Sequence, residues 1–202
     1  NYDMVTVSGE NSILPFSSAM NLDKNIFMPI GVSATDCYYN EEYKNKCIDN
    51  FYSIYPEARD KKILLWAPTF RGSAADPYIV GEEDFLKVAD EISDKWFVII
   101  KKHPHMEQKG HKSTTTIPTE ELLPVIDLLI TDYSSIIFNF SIFNKPMIFF
   151  SPDLEEYEES RGFYLKYSEL PGEIAKNEKE LASAIRNAIN NHDKLKMKDF
   201  YN

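Results

Sequence analysis

Cysteine is nearly absent. Among 202 residues only Cys37 and Cys47 carry thiols, in neither a C-x-x-C nor a multi-cysteine pattern. That argues against a disulfide framework or a cysteine-built metal site, and fits a reducing compartment with two inert thiols. Positive charge is also scarce, with 22 Lys and Arg against 32 Asp and Glu and a formal net charge of -10. Such a chain cannot neutralise many phosphates, so it is not expected to bind nucleic acid, and it has no general attraction for an anionic membrane. No apolar run approaches the 18 or so residues of a spanning helix, and no secretory signal opens the chain. Internal repeats, low-complexity tracts and a metal-ligand cluster are missing as well. The first residue is Asn1, not methionine, and Tyr2 to Val7 already reads as strand, so a piece of a longer protein is expected.

What remains is an ordinary globular composition, 43% hydrophobic and 13% aromatic, with ample length to bury a core. Met4 to Val7 predicts a strand, Ser8 to Asn11 a loop opening a helix that reaches about Met20, and Ile26 to Gly31 a second short strand. Tyr43, Cys47, Ile48, Phe51, Ile54 and Tyr55 keep helical spacing over Glu41 to Tyr55, and Pro56 stops them. Lys62 to Ala67 and Trp96 to Ile100 are buried strands. Between them lie a loop, Gly72 to Gly81, expected to be mobile, and an amphipathic helix, Glu82 to Ser93. A weak segment around Thr114 to Ile117 and a short helix, Thr119 to Leu123, follow. Asp127 to Ile130 is a third buried strand. Thr131 to Ser135 then opens a helix near Ser134, a fourth strand follows, and an acidic, aromatic loop runs from Asp153 to Arg161. Glu178 to Asn191 predicts a last helix, with Leu181, Ile185, Ala188 and Ile189 inward. Strands that are continuous apolar runs, alternating with helices, predict an α/β fold: a Rossmann-like parallel sheet with helices on both faces.

In such sheets ligands lie beyond the carboxyl ends of the strands. Arg71 follows the first buried strand, His103 the second, Ser134 and Ser135 the third, and Asp153 to Arg161 the fourth. The first amides of a helix at Ser134 lack intrahelical partners and favour an anion, and a phosphate is the natural guest. Each residue also has a plainer reading. The serines could cap a helix, His103 could be a satisfied strand-end histidine, and Arg71 could pair with a carboxylate. Asp132, an anion, is expected to turn away from phosphate and hold its loop. The weight lies in four strand ends coinciding.

These residues carry a resemblance. I-T-D-Y-S-S at Ile130 to Ser135, K-P at Lys145-Pro146, D-L-E-E-Y at Asp153 to Tyr157, R-G-F-Y at Arg161 to Tyr164 and E-L-P-G at Glu169 to Gly172 resemble the CDP-glycerol glycerophosphotransferase family, the teichoic acid polymerases and primases. A-P-T-F-R at Ala67 to Arg71 and K-x-H-P-H at Lys101 to His105 resemble it too, so the match spans essentially the whole chain. The resemblance implies the C-terminal half of a GT-B fold. Residues 1–202 would be one nucleotide-donor-binding domain, with 1–60 on its interdomain side and an N-terminal domain of the same chain missing. It further implies transfer of glycerol phosphate, or a related polyol phosphate, from CDP-glycerol or CDP-ribitol to a polymer hydroxyl on a lipid carrier, with release of CMP; no cofactor is expected, and a diphosphate can recruit Mg2+ without a protein metal cluster. The enzyme would be cytoplasmic, peripheral at the inner face of the bacterial membrane, and the piece alone inactive. By position His103 would be catalytic, Ser134, Ser135 and Arg71 would bind the donor diphosphate, and Asp153, Glu156 and Arg161 would lie around the nucleotide. Asn139, where many members have an acid, and Ser33-Ala34-Thr35-Asp36, where many carry P-R-T-D-like residues, depart from the pattern and leave the polyol open. A GT-B glycosyltransferase using a nucleotide sugar for surface polysaccharide, or a non-catalytic donor-binding domain, are the alternatives.

Overall fold

The structure, a computed structural model, describes residues 2–31, 33–73, 75–108, 110, 112–162, 166–189, 197 and 200, without the side chains of His105, Gln108 and Arg161. The chain falls into two compact units, 1–43 and 44–202. In the first unit β1 (Val5–Thr6) and β2 (Phe27–Met28) pair in parallel around α1 (Ile13–Met20). The helix ends where Asn21 takes a left-handed conformation, φ 52°, and donates its amide back to Ser17 and Ser18. A 3₁₀ turn, Ser33–Tyr39, which no apolar period foretells, precedes α2 (Glu41–Ile54).

The second unit is built on a five-stranded parallel sheet. Its strands are β3 (Lys62–Ala67), β6 (Trp96–Ile100), β7 (Leu128–Thr131), β8 (Met147–Phe150) and β9 (Glu173–Ala175), in the order β6-β3-β7-β8-β9. Residues 63 to 66 and 128 to 130 are almost wholly shielded from solvent, which is why they read as unbroken apolar runs. Alternate side chains serve opposite faces. Leu64, Trp66, Leu128, Ile130, Ile148 and Phe150 meet Phe85 and Val88 of α3 (Glu82–Glu91) and Leu181, Ala182, Ile185 and Ala188 of α8 (Glu178–Ala188). Trp66 stacks on Phe85 with ring centroids 3.9 Å apart. On the other face Phe97 meets Phe51 and Tyr55 at the end of α2. Helices therefore cover both faces, as the sequence predicts.

Other expectations change. The Gly72 to Gly81 loop contains a hairpin, β4 (Arg71–Gly72) against β5 (Pro77–Tyr78). Its turn needs glycine at 72, where φ is +76° and an added Cβ would lie 2.4 Å from the Asp76 carbonyl oxygen. The acidic loop after β8 is a helix, α7 (Leu154–Arg161), with Glu155 and Glu156 in its first turn, where the helix dipole favours them. Two further short helices are α4 (Pro104–Gln108) and α5 (Thr119–Leu122). Thr114 to Ile117 is not a strand; it hangs on β6, with the Thr114 amide donating to the Ile100 carbonyl at 2.9 Å. Ile189 is 38% exposed rather than inward, and Asn190 and Asn191 lie outside the described residues. The strand β9 is new, at three residues too short to show a pattern. It lies against β8 because Gly172 has no Cβ, which would fall 2.5 Å from the Met147 carbonyl oxygen.

Candidate functional site at the strand ends

Numbered by appearance in this unit, the strand order is 2-1-3-4-5: the chain leaves β3 for β6 on one side, and the connection from β6 returns past β3 to β7 on the other. Such a reversal opens a crevice at the carboxyl ends of the two central strands, here β3 and β7. Thr131 fastens the two ends together by donating its hydroxyl to the Ala67 carbonyl at 2.7 Å. Beyond this point the chain turns aside on both strands, and the turns are tied by side chains.

Asp132 is the centre of that tie. Its Oδ1 accepts the Thr69 amide at 2.9 Å and its Oδ2 accepts the Thr69 hydroxyl at 2.8 Å and Arg71 Nη2 at 3.0 Å. It holds the loop, as an anion turned from phosphate is expected to. Arg71 also donates through Nε and Nη2 to both carboxylate oxygens of Asp153, at 2.7 and 3.2 Å, and through Nη1 to the Thr69 hydroxyl at 2.8 Å and carbonyl at 3.1 Å. All five guanidinium protons thus meet protein acceptors, and the residue is 9% exposed. Arg71 therefore pairs with two carboxylates, the plainer of its two readings. Its carbon Cζ lies 4.8 Å from the centre of the Tyr133 ring and 5.1 Å from that of Tyr157, and the two rings stack 3.7 Å apart. The Tyr133 hydroxyl donates to Asp153 Oδ1 at 3.0 Å, and the Tyr167 hydroxyl to the Asp132 carbonyl at 3.1 Å. Among the described residues no buried side-chain nitrogen or oxygen lacks a partner.

The electrostatics follow from this closure. Burial works against the charge on Arg71, but the hydrogen bonds and charges of Asp153 and Asp132 outweigh it and raise its pKa. Burial also opposes ionisation of Asp153, and Arg71 with Tyr133 overcomes it, so this carboxyl sits below its ordinary range. For the more deeply placed Asp132 burial prevails and pushes the pKa up, against Arg71 and Thr69. Burial first, then the Asp153 charge, raises the Tyr133 phenol.

The remaining predicted residues lie around this knot. His103 is exposed, and its ring centroid is 5.0 Å from that of Phe70, which ties the β6 end to the β3 loop. Its carbonyl accepts the Met106 and Glu107 amides at 2.8 and 3.2 Å and so starts α4. Beside it, Lys102 pairs with Glu82 at 2.5 Å. On β7, Ser134 Oγ accepts the Ile136 amide at 3.3 Å, and Ser135 begins α6 (Ile136–Ser141) without a capping bond from its side chain. Ser134 is half-buried and Ser135 exposed. Glu156 is exposed on α7; Arg161 closes that helix, and its side chain lies outside the described ones. The sequence reading missed Thr69, Tyr133 and Tyr157 as members of the cluster. The signal was present, since Tyr133 adjoins Asp132 and Tyr157 lies within the acidic segment, but stacking needs α7 to be a helix. Among the described residues no group of three His, Cys, Asp or Glu could hold a metal ion.

Comparison with known proteins adds to this geometry. The family model described as CDP-Glycerol:Poly(glycerophosphate) glycerophosphotransferase matches residues 1–202. The teichoic acid ribitol-phosphate primase of Bacillus spizizenii is 35% identical over 92% of this chain and 50% of its own length. The teichoic acid glycerol-phosphate primase of Bacillus subtilis is 32% identical over 97% of this chain and 52% of its own. The chain thus spans about half the length of these two relatives. The solved structure of the wall teichoic acid polymerase TagF superposes with a TM-score of 0.80 at 26% identity, covering 98% of this chain and 53% of TagF. A histidine-to-asparagine variant of TagF soaked with CDPG matches with a TM-score of 0.78 at 25% identity, over 98% of this chain and 52% of that one.

Proposed function

Because the chain belongs to the CDP-glycerol:poly(glycerophosphate) glycerophosphotransferase family, we propose that it is the donor-binding half of a teichoic acid transferase. The reaction moves glycerol phosphate or ribitol phosphate from a CDP-linked donor to a hydroxyl of a polyol-phosphate polymer on a lipid carrier, and CMP leaves. The observation that carries this reading is the adjacency of β6, β3, β7 and β8, which brings His103, the Ser134-Ser135 turn and α7 to one edge of the sheet.

Attack of the acceptor oxygen on the distal phosphorus breaks its bond to the bridging oxygen, and negative charge grows on the departing CMP phosphate. Fixed donors at that oxygen lower the barrier. His103 is the residue assigned to it. The hydroxyls of Ser134 and Ser135, with the first amides of α6, hold the other diphosphate oxygens. A hydrogen bond to a charged group contributes roughly 1.5 to 3 kcal/mol and placement at a helix start about 0.3 to 1 kcal/mol, so a few such contacts support micromolar binding. Since α6 has six residues, its dipole is the smaller share. Glu156 and Arg161 are assigned to the nucleotide, and Asp153 acts on it through α7, which it anchors. The base for the acceptor hydroxyl belongs to the half of the protein that precedes this chain. A lipid-linked acceptor draws the whole protein to the inner membrane face as a peripheral enzyme; among the described residues no helix is long and apolar enough to cross a membrane.

Calorimetric titration with CDP-glycerol, CDP-ribitol and UDP-sugars separates this reading from a nucleotide-sugar transferase. Binding of a CDP-polyol is expected, and its absence overturns the proposal. In the full-length enzyme His103→Ala is expected to remove most turnover while circular dichroism and the melting temperature stay near wild type. Near-normal turnover would refute its role.

A further inference from the structure

The ion cluster at the β3–β7 crevice is left unexplained by the transfer chemistry, because every donor of its arginine is spent on protein acceptors. Arg71 reaches three strand ends at once: Thr69 on its own loop, Asp132 after β7 and Asp153 after β8. Asp132 directly precedes the Tyr133-Ser134-Ser135 turn, and Asp153 directly precedes α7. A buried ion cluster is a weak source of stability, and an apolar plug of the same volume often holds a fold as well or better. The core of this unit is assembled elsewhere, on Trp66, Phe85 and their neighbours. What the cluster supplies is direction. A planar fork fixed by two carboxylates and set against two tyrosine rings defines the orientation of both segments, which a lysine's single point charge cannot do.

We propose that Arg71 is the positioning residue of the donor site, orienting the Ser134-Ser135 turn through Asp132 and α7 through Asp153 while touching no ligand itself. This assignment rests on the donor-site reading above. It predicts that loss of the fork misplaces the diphosphate contacts, and a misplacement of about 1 Å is enough to cost one to two orders of magnitude.

The test uses the full-length protein with two variants, Arg71→Lys and the neutral combination Arg71→Met, Asp132→Asn, Asp153→Asn. The first keeps the charge and loses the fork; the second removes all three buried charges together and is expected to regain the melting temperature that Arg71→Lys loses. In both, the Kd and KM for the CDP-polyol that wild type binds are expected to rise about tenfold or more. A purely structural role instead lowers the active fraction, and with it kcat, at constant KM. A donor Kd within about twofold of wild type in the neutral variant, folded by circular dichroism, overturns the proposal. If wild type binds neither CDP-glycerol nor CDP-ribitol, the donor reading falls on its own, and hydrogen exchange decides the positioning role. Faster exchange in Arg71→Lys at the Thr69 amide and in residues 133–137 and 154–158, with β3 and β7 unchanged, supports it. An unchanged local pattern sinks it.

Discussion

At residue scale, Asp153 and Asp132 share one arginine and titrate in opposite senses. Asp153 is held below its unfolded value, so the stability it lends is complete above about pH 4 and drains as pH falls through the depressed value. Asp132 is raised by burial, so it takes up its proton first in the folded state, and its ionisation costs stability at neutral pH. Asp153→Asn is therefore expected to flatten the acid limb of a stability-versus-pH curve; an unchanged limb contradicts the assignment. Gly172→Ala forces a Cβ against the Met147 carbonyl, and a loss of about 1 to 3 kcal/mol in urea unfolding is expected, against none if β8 and β9 part easily. The holding role of Asp132 was legible beforehand because an anion does not face a phosphate. Which carboxylates Arg71 pairs with was not, since Asp153 lies 82 residues away and one chain read alone shows no pairing at that range.

Among elements, those with a strong apolar period were legible. α2 lies within a residue of its expected end, and its inward Phe51 is fully buried against Phe97. Phe51→Ala is expected to cost about 3 to 5 kcal/mol in the same assay; under 1 kcal/mol would mean that α2 is not seated on the sheet. α7 escaped because its sequence, with four glutamates in eight residues, has no apolar stripe. It is a helix whose first turn is placed by Asp153 and whose Tyr157 rests on Tyr133, and neither cause is periodic. The hairpin of β4 and β5 escaped for a similar reason: two-residue strands carry no alternation, and Gly72 marks a turn without saying which.

For the whole molecule, sheet class and helical cover were readable from the unbroken apolar runs, whereas strand order was not. That the predicted site residues gather at one edge follows from β3 standing between β6 and β7, a long-range pairing that local periodicity does not encode. The division into units 1–43 and 44–202 was equally hidden, because composition does not shift there. Assayed alone, this chain is expected to bind a CDP-polyol without extending a polymer; chain growth in a gel assay would show that the base lies within it. The same strand order has a kinetic consequence. β3 joins β7 across pairs such as Leu64 with Leu128, and the Arg71 knot closes only after β8 has been placed as well. Parallel sheets with such distant pairings are slow to form, and contacts completed last weigh on unfolding rather than folding. Stopped-flow chevrons of Arg71→Lys should accordingly show a steeper loss of native lifetime than of refolding speed.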